Sequence, residues 1–259
     1  KFKKIIYFVH GFRFHKKGNF LLNKFFYFLE KILSYKTNNY IAINNEDYNI
    51  INNNLQKPCI KISGVGISEK FFIKNKKYKK KEKFCIGVIG AYRKNKGYLK
   101  LINLAKNLDN TFLIDCYGYD NKGKYLEKIN KFKIQNIKLN DFTDEIYSKI
   151  DSFDILLHLS FREGLPISVL QCLSRGVPVL GHNIRGMNDL IKDNYNGYLF
   201  EFNEEQKFLQ KIKHLSIDNE HLQNLINNSI KCVDQLYTTK YINKKIINYF
   251  EEIFNEDYI

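Results

Sequence analysis

No apolar run in the 259 residues approaches the roughly 18 that a membrane-spanning helix needs. Cysteine is sparse and scattered. The five, Cys59, Cys85, Cys116, Cys172 and Cys232, sit mostly in apolar runs and form no Cys-x-x-Cys or Cys/His spacing. That pattern argues against a zinc site or a disulfide framework and reads as reduced core thiols. There is no internal repeat, and Lys1 leads straight into a strand pattern rather than the charged-then-apolar order of a secretory signal. The expectation is a cytoplasmic protein whose membrane contact is limited to the periphery, on the inner face of the plasma membrane.

Acidic residues are also in short supply, with 27 Asp and Glu against 42 Lys and Arg for a formal charge of +15. Such a balance suits nucleic acid or an anionic membrane surface. The chain is rich in Lys, Asn, Ile, Tyr and Phe, which AT-rich coding favours, so the excess reads chiefly as compositional and no nucleic-acid partner is expected. The densest run, Lys74 to Lys83, reads as a solvated linker or exposed helix, with a membrane-facing patch as the rival reading.

From Phe84 onward, strands and helices alternate. Strands are expected at 85–89, 112–116, 137–139 and 154–160, and helices at 97–108, 123–132 and 144–151. That alternation predicts a parallel, doubly wound sheet. Further helices are expected near 204–215, 220–236 and 241–254. Before the basic run, strand 5–9, an amphipathic helix at 20–34, strand 40–44, a short helix after Asn45-Glu46-Asp47 and strand 59–62 form a smaller α/β piece.

One segment carries the chemistry. The apolar run Ile155 to Ser160 reads as a buried parallel strand, Gly164 and Pro166 turn the chain, and Ile167 to Ser174 has helical periodicity up to Gly176. A proline at a helix start costs nothing, because its missing N–H would have been an orphan. Glu163 therefore stands at the lip of a strand-to-helix turn, beside free N–H groups that attract phosphate. In an open α/β sheet, this is where ligands bind. The segment reads as a site for a phosphorylated ligand with hydroxyls to hold.

Glu163-Gly164-Leu165-Pro166, followed by Gly176-Val-Pro-Val-Leu180, Asn183 to Ile191 and Asn196-Gly197, resembles the Glu-x7-Glu region of the retaining GT-B glycosyltransferases of family 4. The likeness is greatest to members that build capsule, exopolysaccharide and lipid-linked glycans. The resemblance implies an α/β GT-B architecture of two Rossmann-like parallel-sheet domains. Residues 1–66 would be a partial, acceptor-side N-terminal domain, 67–83 a basic linker, 84–236 the nucleotide-sugar domain, and 237–259 a helix crossing back. Strand 5–9 matches the fourth strand of the N-terminal domain, so its neighbours are expected before Lys1, and an exposed apolar edge is expected to be mobile or prone to pairing.

The resemblance also assigns roles. Glu163 would hold sugar hydroxyls, with Gly164, Leu165 and Pro166 near the sugar and phosphate. The second acid is replaced by Gln171, which still hydrogen-bonds ribose hydroxyls but without charge assistance. Lys96, and Arg93 as a displaced substitute for an arginine whose usual place holds Ala91, would grip the diphosphate. His10 and Gly11 match the family's His-Gly loop near the donor sugar. Arg185 and Gly186 would line the cleft, while His158 reads as a core histidine. The implied reaction moves a sugar from a nucleotide sugar, a UDP-sugar by resemblance, to a glycan or polyprenyl-diphosphate-linked acceptor with retention. No metal and no cofactor are called for. Three alternatives stay open: an inactive nucleotide-binding remnant, a GT-B sugar-nucleotide epimerase, and a basic nucleic-acid-binding protein.

Overall fold

The computed structural model describes residues 4–15 and 17–255. A first unit holds three parallel strands in the order β1 (Ile6–Val9), β2 (Asn39–Ala42) and β3 (Cys59–Lys61). The crossover from β1 to β2 carries α1 (Phe20–Ser34), with the bounds expected from its periodicity. Its start is fixed by Asn19, whose side chain accepts the N–H groups of Leu21 and Leu22 and so satisfies two of the orphan donors. After β2, Asn44 caps α2 (Asn45–Asn49), which runs on into a π-helical turn at Ile50–Leu55. Among the described residues β1 pairs only with β2 and forms an edge of this sheet.

The second unit is a sheet of six parallel strands in the order β6-β5-β4-β7-β8-β9. These are β4 (Phe84–Ile89), β5 (Phe112–Gly118), β6 (Ile137–Asp141), β7 (Ile155–His158), β8 (Val179–His182) and β9 (Gly197–Phe200). The helices between them are α3 (Tyr98–Ala105), α4 (Lys122–Lys131), α5 (Ile146–Ile150), α6 (Ile167–Ser174) and α7 (Met187–Leu190). Every residue of β7 and β8 is buried, as expected for central parallel strands covered on both faces. The order runs outward from β4 to β5 and β6 on one side and from β7 to β8 and β9 on the other. The crevice beyond the carboxyl ends of β4 and β7 is therefore the switch point of the sheet, where such folds bind ligands.

Three helices close the chain: α8 (Glu205–Ile217), α9 (Asn219–Cys232) and α10 (Thr239–Asn255). Ile242, Tyr249 and Ile253 of α10 share one core with Ile41, Ile43 and Ile62 of the first unit and with α6. Lys245 Nζ donates to the Lys61 carbonyl at 2.8 Å, tying α10 to β3.

The basic run at 74–83 is not a helix but an extended segment on which Lys74, Lys77, Lys79, Lys80, Lys81 and Lys83 are exposed. It is a strap laid on the second unit. The Tyr78 N–H donates to Gln223 at 2.7 Å, Lys81 pairs with the buried Asp154 at 2.7 Å, and the Lys76 ammonium is buried. Burial holds the Lys76 pKa below its ordinary value.

Candidate functional site

The two loops at the switch point converge on one carboxylate. β7 ends at His158, and the chain then turns through Glu163 into α6. β4 ends at Ile89, and its loop carries Lys96 just before α3. Lys96 Nζ lies 2.6 Å from Glu163 Oε1, and His158 Nε2 lies 3.1 Å from the same oxygen. Gly97 makes this approach workable. It has a φ of +79°, and a Cβ there would fall 2.3 Å from the Leu159 carbonyl oxygen.

Glu163 is largely buried. Burial alone would raise its pKa. The hydrogen bond and charge of His158, with the charge of Lys96, outweigh that and bring it down to about 2. Glu163 therefore stays an anion at neutral pH, with Lys96 against it. Beside them is the start of α6, whose free N–H groups add partial positive charge.

These residues line a cavity of about 780 Å³. Lys96, Glu163, Leu165, Pro166 and Gln171 share its wall with Arg93 and Ala91. Arg93 is mostly exposed and ion-paired with Asp120, so its guanidinium stands at the rim rather than against Glu163. Gln171 sits one turn into α6 and opens into the same cavity.

A second, smaller hollow of about 230 Å³ lies on the other side of Glu163. Here the first unit enters the site: His10, Gly11 and Phe12 face Asn95, Lys96, Glu163 and Gly164. The approach depends on missing side chains. A Cβ on Gly164 would sit 2.0 Å from the His10 carbonyl oxygen, and one on Gly186 would sit 2.1 Å from the Gly164 carbonyl oxygen. Glycines thus let three loops from two sheets meet at Glu163. His10 itself is exposed, its ring stacked on Phe8 with centroids 4.6 Å apart.

Arg185 lies elsewhere. It is buried, pairs with the buried Asp47, and donates to the carbonyls of Phe12 and Phe14 at 2.8 Å each. It lines neither hollow around Glu163. It is a tie between the two units, and Asp189 reinforces it by accepting the Asn45 N–H at 2.8 Å. The sequence reading puts Arg185 in the cleft wall: it lines a separate hollow of about 560 Å³ between Phe14, His15 and Asn45 of the first unit and Asn188 and Asp189 of the second, and its carboxylate partner is 138 residues away.

His158 is the main site residue that sequence reasoning passed over. It is buried at a strand end, as a core histidine would be, yet its ring reaches the carboxylate. Tyr117, Tyr119 and Phe142 also line the larger cavity and supply flat apolar surface. Only the place of Tyr117 and Tyr119 at the end of β5 could have flagged them. Among the described residues no cluster of three or more His, Cys, Asp or Glu is placed to hold a metal.

The profile of the family described as glycosyl transferases group 1 matches residues 69–232, more than half of the chain. The chain belongs to that family. Its group 1 region contains the strap, the whole six-stranded sheet and both loops that meet at Glu163. The chain is 28% identical over 274 residues to the UDP-Gal:alpha-D-GlcNAc-diphosphoundecaprenol alpha-1,3-galactosyltransferase of Escherichia coli, covering 93% of this chain and 70% of that protein. It is 25% identical to the capsular polysaccharide biosynthesis glycosyltransferase CapM of Staphylococcus aureus, covering 97% of this chain and 71% of the relative. Among solved structures, Anabaena HepE in complex with UDP and glucose superposes with a TM-score of 0.79 at 15% identity, over 96% of this chain and 72% of that one. A mutant of S. aureus TarM, in complex with Fondaparinux, alpha-GlcNAc-glycerol and UDP, gives 0.78 at 21% identity, over 95% of this chain and 50% of that one. The parallel sheets and these neighbours make the group 1 chain a GT-B fold, with relatives in capsule and polysaccharide biosynthesis.

Proposed function

We propose that the chain is a retaining glycosyltransferase of family 4. It would take a sugar from a UDP-linked donor and pass it to a glycan or polyprenyl-diphosphate-linked acceptor in surface polysaccharide synthesis. The observation that carries this reading is the Glu163 carboxylate held by Lys96 and His158 beside the start of α6, in a cavity that also receives Gln171. An anion next to hydroxyl-sized space binds sugar hydroxyls. A cation beside a helix N-terminus binds diphosphate.

In this reading the C1–O bond to the diphosphate breaks and a new C1–O bond forms to the acceptor hydroxyl. The acceptor proton leaves with the diphosphate. Lys96 and the α6 N–H groups stabilise the negative charge that grows on the departing oxygens. Glu163 orients the ring, and the exposed His10 of the first unit faces the same carboxylate from the acceptor side. Tyr117, Tyr119 and Phe142 offer stacking surface for the base. The name of the E. coli relative and the ligands of the HepE and TarM complexes favour UDP as the carrier.

Incubating the chain with UDP-glucose, UDP-galactose and UDP-N-acetylglucosamine, with and without a polyprenyl-diphosphate-linked sugar, tests the proposal. Release of UDP that depends on the acceptor and disappears in Glu163→Gln and Lys96→Ala supports it. UDP binding without transfer from any donor would favour the nucleotide-binding remnant, and interconversion of the free UDP-sugars would favour the epimerase.

A further inference from the structure

Among the described residues, two side chains reach the Glu163 carboxylate, and both contact the same oxygen. Lys96 Nζ at 2.6 Å and His158 Nε2 at 3.1 Å lie against Oε1. That leaves Oε2 to accept from a ligand. The carboxylate has the larger cavity on one side and the smaller hollow on the other.

The two partners differ in how firmly they are placed. The Lys96 side chain is a flexible stem, 28% exposed, and the diphosphate of a nucleotide sugar competes for its charge. The His158 side chain is 6% exposed and stands at the end of β7, every residue of which is buried. That strand is paired on both sides, to β4 and to β8, with Gly181 of β8 opposite His158. The sheet therefore holds the imidazole, whereas the ammonium follows its anions.

The chemistry also settles which ring nitrogen carries hydrogen. Glu163 is an anion at neutral pH, so its oxygens only accept. The contact at 3.1 Å is a hydrogen bond only if Nε2 carries the hydrogen and donates it. A buried donor on a rigid strand is thus spent on one oxygen of a carboxylate that faces a ligand cavity.

We propose that His158 is the positioning residue for the donor sugar, its Nε2–H holding Glu163 Oε1 so that Oε2 meets the sugar hydroxyls while Lys96 serves the diphosphate. This rests on Glu163 being the acid that holds the sugar, and it adds a division of labour. Lys96 acts on the nucleotide half of the donor, and His158 acts through Glu163 on the sugar half.

Calorimetric titration of UDP, UDP-glucose, UDP-galactose and UDP-N-acetylglucosamine into the parent chain and its variants tests the proposal. His158→Leu fills the space without a donor, whereas His158→Gln retains an N–H. Circular dichroism checks that each variant folds. In His158→Leu, the UDP-sugar that the parent binds is expected to bind about tenfold or more weakly, with UDP itself changed by less than about threefold. His158→Gln is expected to recover part of that loss. In a Glu163→Gln background, His158→Leu should add less than about a twofold effect, because the group it acts through is gone. Long-range proton–nitrogen NMR of the ligand-free chain, with the His158 signal identified by its loss in His158→Gln, should show hydrogen on Nε2. Equal losses for UDP and UDP-sugar, no recovery in His158→Gln, an undiminished penalty in the Glu163→Gln background, or a bare Nε2 would each overturn the proposal. A folded parent chain that binds no UDP would instead remove the donor reading, and this inference with it.

Discussion

Replacing Glu163 by Gln keeps the shape of the side chain and removes the charge that Lys96 and His158 hold in place. Its folded pKa, about 2, lies below the ordinary carboxylate value of 4.5. Its contribution to stability is therefore present above the unfolded value and is lost as pH falls through the folded one. Acid unfolding followed by circular dichroism should thus be less steep for Glu163→Gln than for the parent between those two values. Equal steepness would mean that the ion pair contributes little. Gln171 offers the converse test. Gln171→Glu supplies a charge-assisted acceptor for a ribose hydroxyl and should tighten UDP binding about threefold to tenfold in a calorimetric titration. Weaker binding would place Gln171 away from the ribose. At this scale Glu163, Lys96 and Gln171 were legible, because their neighbours in sequence define a strand, a turn and a helix start. His158 was not, since a buried strand histidine carries no local sign of what its ring touches.

At the scale of elements, α1 was readable near its bounds from its apolar pattern, and α6 from Pro166 and the periodicity that follows, whereas the Asn19 cap of α1 emerged only from the structure. The short α7 was missed, because four residues cannot display a period. What local pattern could not reveal is how the two sheets hold each other. The buried Arg185–Asp47 pair and the Gly164–Gly186 approach join segments far apart in the chain. Arg185→Met leaves the Asp47 charge buried without its partner and should cost about 3–5 kcal/mol in chemical denaturation. The double variant with Asp47→Asn should recover part of the loss. Gly164→Ala places a methyl against the His10 carbonyl. It should lower the melting temperature and weaken UDP binding together, whereas a fall in only one would show that the two sheets move independently of the donor cavity.

For the whole molecule, the alternation of strands and helices after Phe84 was enough to indicate a doubly wound sheet, and the switch point between β4 and β7 then accounts for where the site lies. The formal charge of +15 was ambiguous in sequence. The structure sets part of the excess in a strap bound to the second unit, while Lys96 is balanced by Glu163 and adds none. Those uses differ in their demand for a partner, which no count of lysines can separate. The proposed function requires the cavity around Glu163 to bind a uridine diphosphate through Lys96 and α6, and calorimetric titration of UDP into the 259-residue chain, with GDP as control, measures that binding. Saturable binding of UDP in preference to GDP, reduced about tenfold or more by Lys96→Ala, is the expected result. No binding of UDP to a folded chain, or binding indifferent to Lys96→Ala, would contradict it.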